Sequence, residues 1–185
     1  VITKYEIPVI EDNPYGDLRV SGEDVPAIKS FDSDGIVIYS GSFSKIVAPG
    51  IRVGYVLAPK EVIAKLTVAK QTQDVHTPLL SQLVVYKWLT EYDFEGHINK
   101  IREIYKRKLN LLCDCIDKEL SDFLTYHRPE GGLFVWAKLN DGIDMLDFVK
   151  KASAAGASVV PGNAMMVDGD APCQYIRMNF STPSD

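Results

Sequence analysis

The sequence has 185 residues, 46% of them apolar and 24% charged, with a formal net charge of −5. That is enough chain to bury a core in one or two small globular domains. It has no basic stripe and no apolar run of bilayer-spanning length, so this segment is expected to bind neither nucleic acid nor membrane.

Residues 1–6 read as the tail of a helix entering a strand. The apolar run Ile7 to Ile10 predicts a buried parallel strand ending at Asp12. Asn13-Pro14 then opens a turn that carries Tyr15. A second strand is predicted over 35–39, leading into the loop Ser40-Gly41-Ser42-Phe43-Ser44-Lys45, and a third over 52–58. The link between them is too short for a parallel crossover, so they should be antiparallel neighbours. Pro59-Lys60-Glu61 opens a helix through Lys70, and a polar loop follows over 71–77. Thr77 and Pro78 suit the N-cap and first turn of a helix over 78–90.

Ile98, Ile101, Tyr105, Leu109, Leu112, Ile116 and Leu120 are spaced by threes and fours, one face of a helix running from Phe94 to Leu120. Its charged face, with Lys100, Glu103, Lys106 and Lys108, reads as solvated surface. Residues 131–139 alternate as a strand, and a helix over 145–155 should be capped by Asp144 and closed by Gly156. A short strand over 157–160 ends in Pro161-Gly162, and a half-buried strand over 174–181 carries Arg177. Cys113 and Cys115, two apart on a helix, cannot face one another, and His76, His97 and His127 show no ligand spacing. No metal site is expected. The cysteines read as reduced core thiols of a cytoplasmic protein.

The chemistry concentrates around Lys45. Ser42 and Ser44 precede it at minus three and minus one, and Arg52 follows seven residues on. A phosphate-binding loop of the G-x-x-x-x-G-K-[ST] kind is excluded, because Ser44 precedes the lysine and Ile46 follows it. An imine-forming amine beside hydroxyls and a guanidinium suits pyridoxal phosphate (PLP), which needs both an amine and a phosphate clamp. Asp12 ends a strand at the edge where open α/β sheets bind ligands, and a carboxylate there can keep a pyridine nitrogen protonated.

Two motifs, Asp12-Asn13-Pro14-Tyr15-Gly16 and then Ser42-Phe43-Ser44-Lys45 through Pro49-Gly50-Ile51-Arg52-Val53-Gly54, resemble in order and spacing those of the class I/II aminotransferases among the fold-type I PLP enzymes. The resemblance implies an α/β fold-type I transferase. Residues 1–92 would be the C-terminal part of its PLP-binding large domain. Residues 93–185 would be the linking helix and most of a small C-terminal α+β domain. Lys45 would be the Schiff-base lysine, Asp12 the ring-nitrogen partner and Tyr15 the donor to the ring oxygen. Ser42, Ser44 and Arg52 would hold the phosphate, and Arg177 would grip the substrate carboxylate. The implied reaction moves an amino group between an L-amino acid and a 2-oxo acid, in a parent expected to be a homodimer. The motifs look closest to the aminotransferases of 2-aminoadipate, kynurenine and aromatic amino acids. The chain starts without methionine and has about half the family's usual length, so it is expected to be a C-terminal fragment, inactive by itself. Two alternatives share these motifs: a PLP-dependent β-lyase, and the aminotransferase-like effector domain of a transcription regulator.

Overall fold

The computed structural model describes residues 2–5 and 7–184 and divides into two compact units, Val1–Ile101 and Arg102–Asp185. In the first, helix α1 (Ile2–Tyr5) leads to strand β1 (Val9–Asp12), followed by β2 (Val37–Ser42) and β3 (Gly54–Leu57). The expected helix tail agrees over residues 2–5, while residues 1 and 6 lie outside the described residues. The sheet order is β1-β2-β3, with β1 and β2 parallel and β2 and β3 antiparallel, as the short connection requires. β2 starts two residues later than expected and runs on to Ser42.

The first strand corrects one expectation. It is not buried: Ile10 is 72% exposed. Side chains alternate along a strand, and the single turn over Ile28–Phe31 covers only the face that carries Glu11. The Glu11 carboxylate accepts the Ile28 and Lys29 amides, each at 2.8 Å, and Ile10 points the other way.

The start of β2 is held by Asp32, whose side chain is almost fully covered. Its carboxylate accepts the Ile36 and Val37 amides at 3.0 Å and the Lys29 ammonium at 2.8 Å. The Lys29 ammonium also donates to the Val37 carbonyl, tying the strand's first residue from both sides.

Helices α2 (Lys60–Gln73) and α3 (Leu79–Glu91) follow. α2 takes three residues from the expected loop. Thr77 is not the cap of α3, because Pro78 itself holds the N-cap position with an extended ψ of 126°. The Thr77 carbonyl instead accepts from Gln82 Nε2 at 2.7 Å. Helix α4 (Phe94–Glu119) then runs from the first unit into the second.

In the second unit, β4 (Leu124–Tyr126) and β5 (Phe134–Leu139) precede α5 (Met145–Ala154), β6 (Val160–Pro161) and β7 (Tyr175–Asn179). The sheet order is β4-β5-β7-β6, all antiparallel. Its inner face (Leu124, Val135, Ala137, Leu139, Ile176) is buried, as are Leu109, Cys113 and Ile116 on the apolar stripe of α4. Asp144 caps α5 by accepting the Asp147 amide at 2.7 Å, and Gly156 takes a φ of +88° just past its end. Two side chains depart from expectation. Lys108 is not free surface, since its ammonium donates to the Ser181 and Pro183 carbonyls. Of the paired thiols only Cys113 is in the core, where burial pushes it up, and Cys115 is exposed. Among the described residues no helix is long and apolar enough to cross a membrane.

The bond from the Lys29 ammonium, reinforced by the Val37 and Ile36 amides, holds the Asp32 carboxyl well below the usual carboxylate range against the opposing effect of burial. Such a group stabilises the fold fully above its unfolded pKa of about 4 and loses that contribution as pH falls through the depressed value. The Asp32→Asn variant should therefore melt below the wild type at pH 7, with the gap closing in strong acid. Thermal melts across that pH range check this.

Candidate active site

Because β1 and β2 are parallel, their carboxyl ends reach one sheet edge. Asp12 closes β1 beside Ser40, and the Asn13 amide extends the ladder by donating to the Ser40 carbonyl at 2.9 Å. By the two-residue alternation, Asp12, Ser40 and Ser42 share one face while Tyr39 and Gly41 share the other.

Past Ser42 the chain makes a single tight turn. The Phe43 amide donates to the Val53 carbonyl at 3.0 Å, the Ser44 amide to Ser42 Oγ at 3.1 Å, and the Val47 amide to the Phe43 carbonyl at 2.8 Å. Lys45 rides on this turn, and the buried side chain of Ile46 anchors it. The Lys45 ammonium lies 6.0 Å from the centre of the Tyr15 ring. The turns after β1 and β2 thus deliver their groups to one place.

Arg52 completes the cluster from a left-handed backbone, φ 53° and ψ 40°. For a residue with a Cβ that conformation costs on the order of 1–3 kcal/mol. Its guanidinium donates to Ser44 Oγ at 3.2 Å and to the Pro49 carbonyl at 3.0 Å. A guanidinium and two serine hydroxyls grouped on one turn form a donor set for a dianion.

The opposite face carries residues that sequence reasoning missed. Asn13 Nδ2 donates to the Tyr39 hydroxyl at 3.1 Å. The Tyr55 ring packs against Tyr39 and Phe43, with centres 6.2 and 5.5 Å apart. Burial, helped by Tyr39 and the Asp17 charge, pushes the Tyr55 phenol up to about 12, so it stays protonated near neutrality. That ring fills the space over Gly41, where a Cβ would lie 2.3 Å from it. A glycine inside an otherwise regular strand was the available signal of a close approach.

Arg177 belongs to the second unit. On β7 it lies opposite Trp136 and Val160, with its guanidinium carbon 4.2 Å above the Phe134 ring. Its Nε is buried and has no hydrogen-bond partner among the described residues. An orphaned buried donor is costly, and a carboxylate gripped in a fork would satisfy it.

The family model for aminotransferase class I and II matches residues 1–185. The chain belongs to that family. Aromatic-amino-acid aminotransferase 1 of Thermococcus litoralis is 41% identical over 179 residues, covering 97% of this chain and 43% of that enzyme. The crystal structure of Pyrococcus horikoshii kynurenine aminotransferase in complex with PMP superposes with a TM-score of 0.92 at 36% identity, covering 97% of this chain and 44% of that one. The uncharacterized HTH-type transcriptional regulator YdfD of Bacillus subtilis is 31% identical over 179 residues, covering 97% of this chain and 36% of that protein. The chain therefore spans less than half the length of these relatives. Its fold is that of the fold-type I PLP enzymes. The residues suit the cofactor on which the aminotransferases depend: an amine, a dianion clamp and a carboxylate stand at one sheet edge.

The packing over Gly41 predicts a coupled pair. Gly41→Ala should cost about 1–3 kcal/mol by forcing the Tyr55 ring out of its packed position. In a Tyr55→Ala background the same change should cost at least about 1 kcal/mol less. Urea unfolding of the two single variants and the double variant measures the difference.

Proposed function

We propose that this chain supplies the lysine and most of the phosphate clamp of a PLP-dependent aminotransferase that moves an amino group between an L-amino acid and a 2-oxo acid. Residues 1–92 would be the C-terminal part of its cofactor domain and 93–185 the linking helix and small domain, in a homodimer. The observation that carries this reading is the meeting of Lys45 with Tyr15 at the edge where Asp12 ends β1. The free thiols Cys113, Cys115 and Cys173 suit the reducing cytoplasm.

When bound, PLP supplies an aldehyde and an electron-withdrawing ring. Lys45 would provide the amine that attaches it and, as a free amine, would take the proton from the reacting carbon of the amino acid and, in the reverse half-reaction, deliver one to that of the 2-oxo acid. The Asp12 carboxylate would hold a proton on the ring nitrogen, and the Tyr15 hydroxyl would donate to the ring oxygen. Ser42, Ser44 and Arg52 would hold the phosphate. Arg177, with its unpaired Nε, takes the substrate carboxylate. Relatives named for aromatic amino acids, kynurenine and aminoadipate support a bulky amino acid as substrate.

A second reading has one observation in its favour, the match to a transcription regulator over 97% of the chain. There the same residues would sense the cofactor without turnover. Amino transfer by the full-length protein, assayed with 2-oxoglutarate, separates the two readings. Amine release coupled to loss of a side-chain group would instead indicate a β-lyase.

In the full-length protein, borohydride should fix PLP to Lys45, and Lys45→Ala should abolish that label, as read by peptide mass spectrometry. Arg52→Ala should weaken PLP retention by about 2–5 kcal/mol, the cost of truncating one partner of a charge-assisted pair. Arg177→Ala should leave PLP bound and lower kcat/KM for every amino acid by about 10- to 100-fold. Equal loss of PLP in both arginine variants would contradict these separate roles.

A further inference from the structure

We propose that His97 is a positioning residue that fixes the turn bearing Lys45, an assignment whose catalytic meaning rests on Lys45 being the cofactor lysine. The start of α4 sets His97 in place. Asp93 Oδ1 accepts the Gly96 amide at 2.9 Å, and Gly96 is suited to that cap because a Cβ there would collide with the Asp93 carboxylate. His97 follows in the first helical turn and is half-buried.

From that turn, His97 Nε2 lies 2.8 Å from the Ile46 carbonyl oxygen, 51 residues away in sequence. A carbonyl only accepts, so Nε2 carries the proton. The ring is oriented by Trp88, which meets it edge-on at 4.8 Å and is itself braced edge-on by Phe94 at 5.3 Å.

Ile46 is the residue directly after Lys45. The other bonds that shape this turn come from its own strand neighbourhood: Phe43 to Val53, Ser44 to Ser42, and Val47 to Phe43. The His97 bond ties the turn to a helix instead. Removing it strands a carbonyl and lets the turn shift against α4, and a lysine that must meet an aldehyde in one geometry tolerates little such movement.

The test compares wild type, His97→Gln and His97→Asn in the full-length protein. The Gln amide can reach the Nε2 position, whereas the Asn amide falls one methylene short, and both lose the ring packing on Trp88. Two readouts apply: hydrogen exchange at the Val47 amide without cofactor, and the PLP dissociation constant. His97→Asn should raise both about tenfold, and His97→Gln should stay within about threefold of wild type. An Asn variant that matches wild type, or Gln and Asn variants equally impaired, overturns the proposal. Should the Asn variant not fold, a Gln variant impaired about tenfold overturns it and one near wild type upholds it. Failure of borohydride to label Lys45 in wild type would instead remove the cofactor reading, leaving the exchange data to decide whether His97 holds the turn.

Discussion

Parallel strands bring their carboxyl ends to the same edge, and the register that sets Asp12 beside Ser40 makes the ends of β1 and β2 coincide. A slip of one residue would turn Asp12 to the face of Tyr39 and Gly41, away from Ser42. That register is guarded where β2 begins, by Asp32 gripping the Ile36 and Val37 amides, and along β1, where Glu11 holds the turn over Ile28–Phe31. The third strand adds to the constraint by close approach, since a Cβ on Gly54 would sit 2.9 Å from the Gly41 carbonyl oxygen. Charges before β2 and close-packed glycines at its end thus decide where the turn of Lys45 begins.

The parts of this arrangement that sequence disclosed are those written in local order. Asp12 and Tyr15 follow an apolar run, Ser42, Ser44, Lys45 and Arg52 share one motif, and the stripe on α4 and the Asp144 cap follow from spacing alone. What escaped depends on partners distant in the chain. The exposure of Ile10 depends on which face of β1 is covered, and the tethering of the Lys108 ammonium on carbonyls more than seventy residues away. The three-residue strand β4 is too short for alternation to register, and pairing with β5 defines it. His97 looked like an isolated histidine because its partner, the Ile46 carbonyl, has no side-chain signature.

The second unit is built on different terms. Its antiparallel sheet buries one face and leaves the other for Phe134, Trp136, Tyr175 and Arg177. Trp136 and Tyr175 stack nearly flat, 5.3 Å apart with 7° between their planes, beside the arginine that lies over Phe134. Aromatic neighbours fix the guanidinium in direction without using up its hydrogen-bonding capacity, which leaves a donor for something the sheet itself does not supply.

Arg52 adopts a backbone conformation that a glycine would occupy with ease. Selection for thermal robustness alone would therefore favour glycine at that position, along with other substitutions that relieve local strain. The hardier protein would lack the guanidinium proposed to grip the phosphate. A library screened by melting temperature would enrich the defect as an improvement, so position 52 should be held constant in any such campaign.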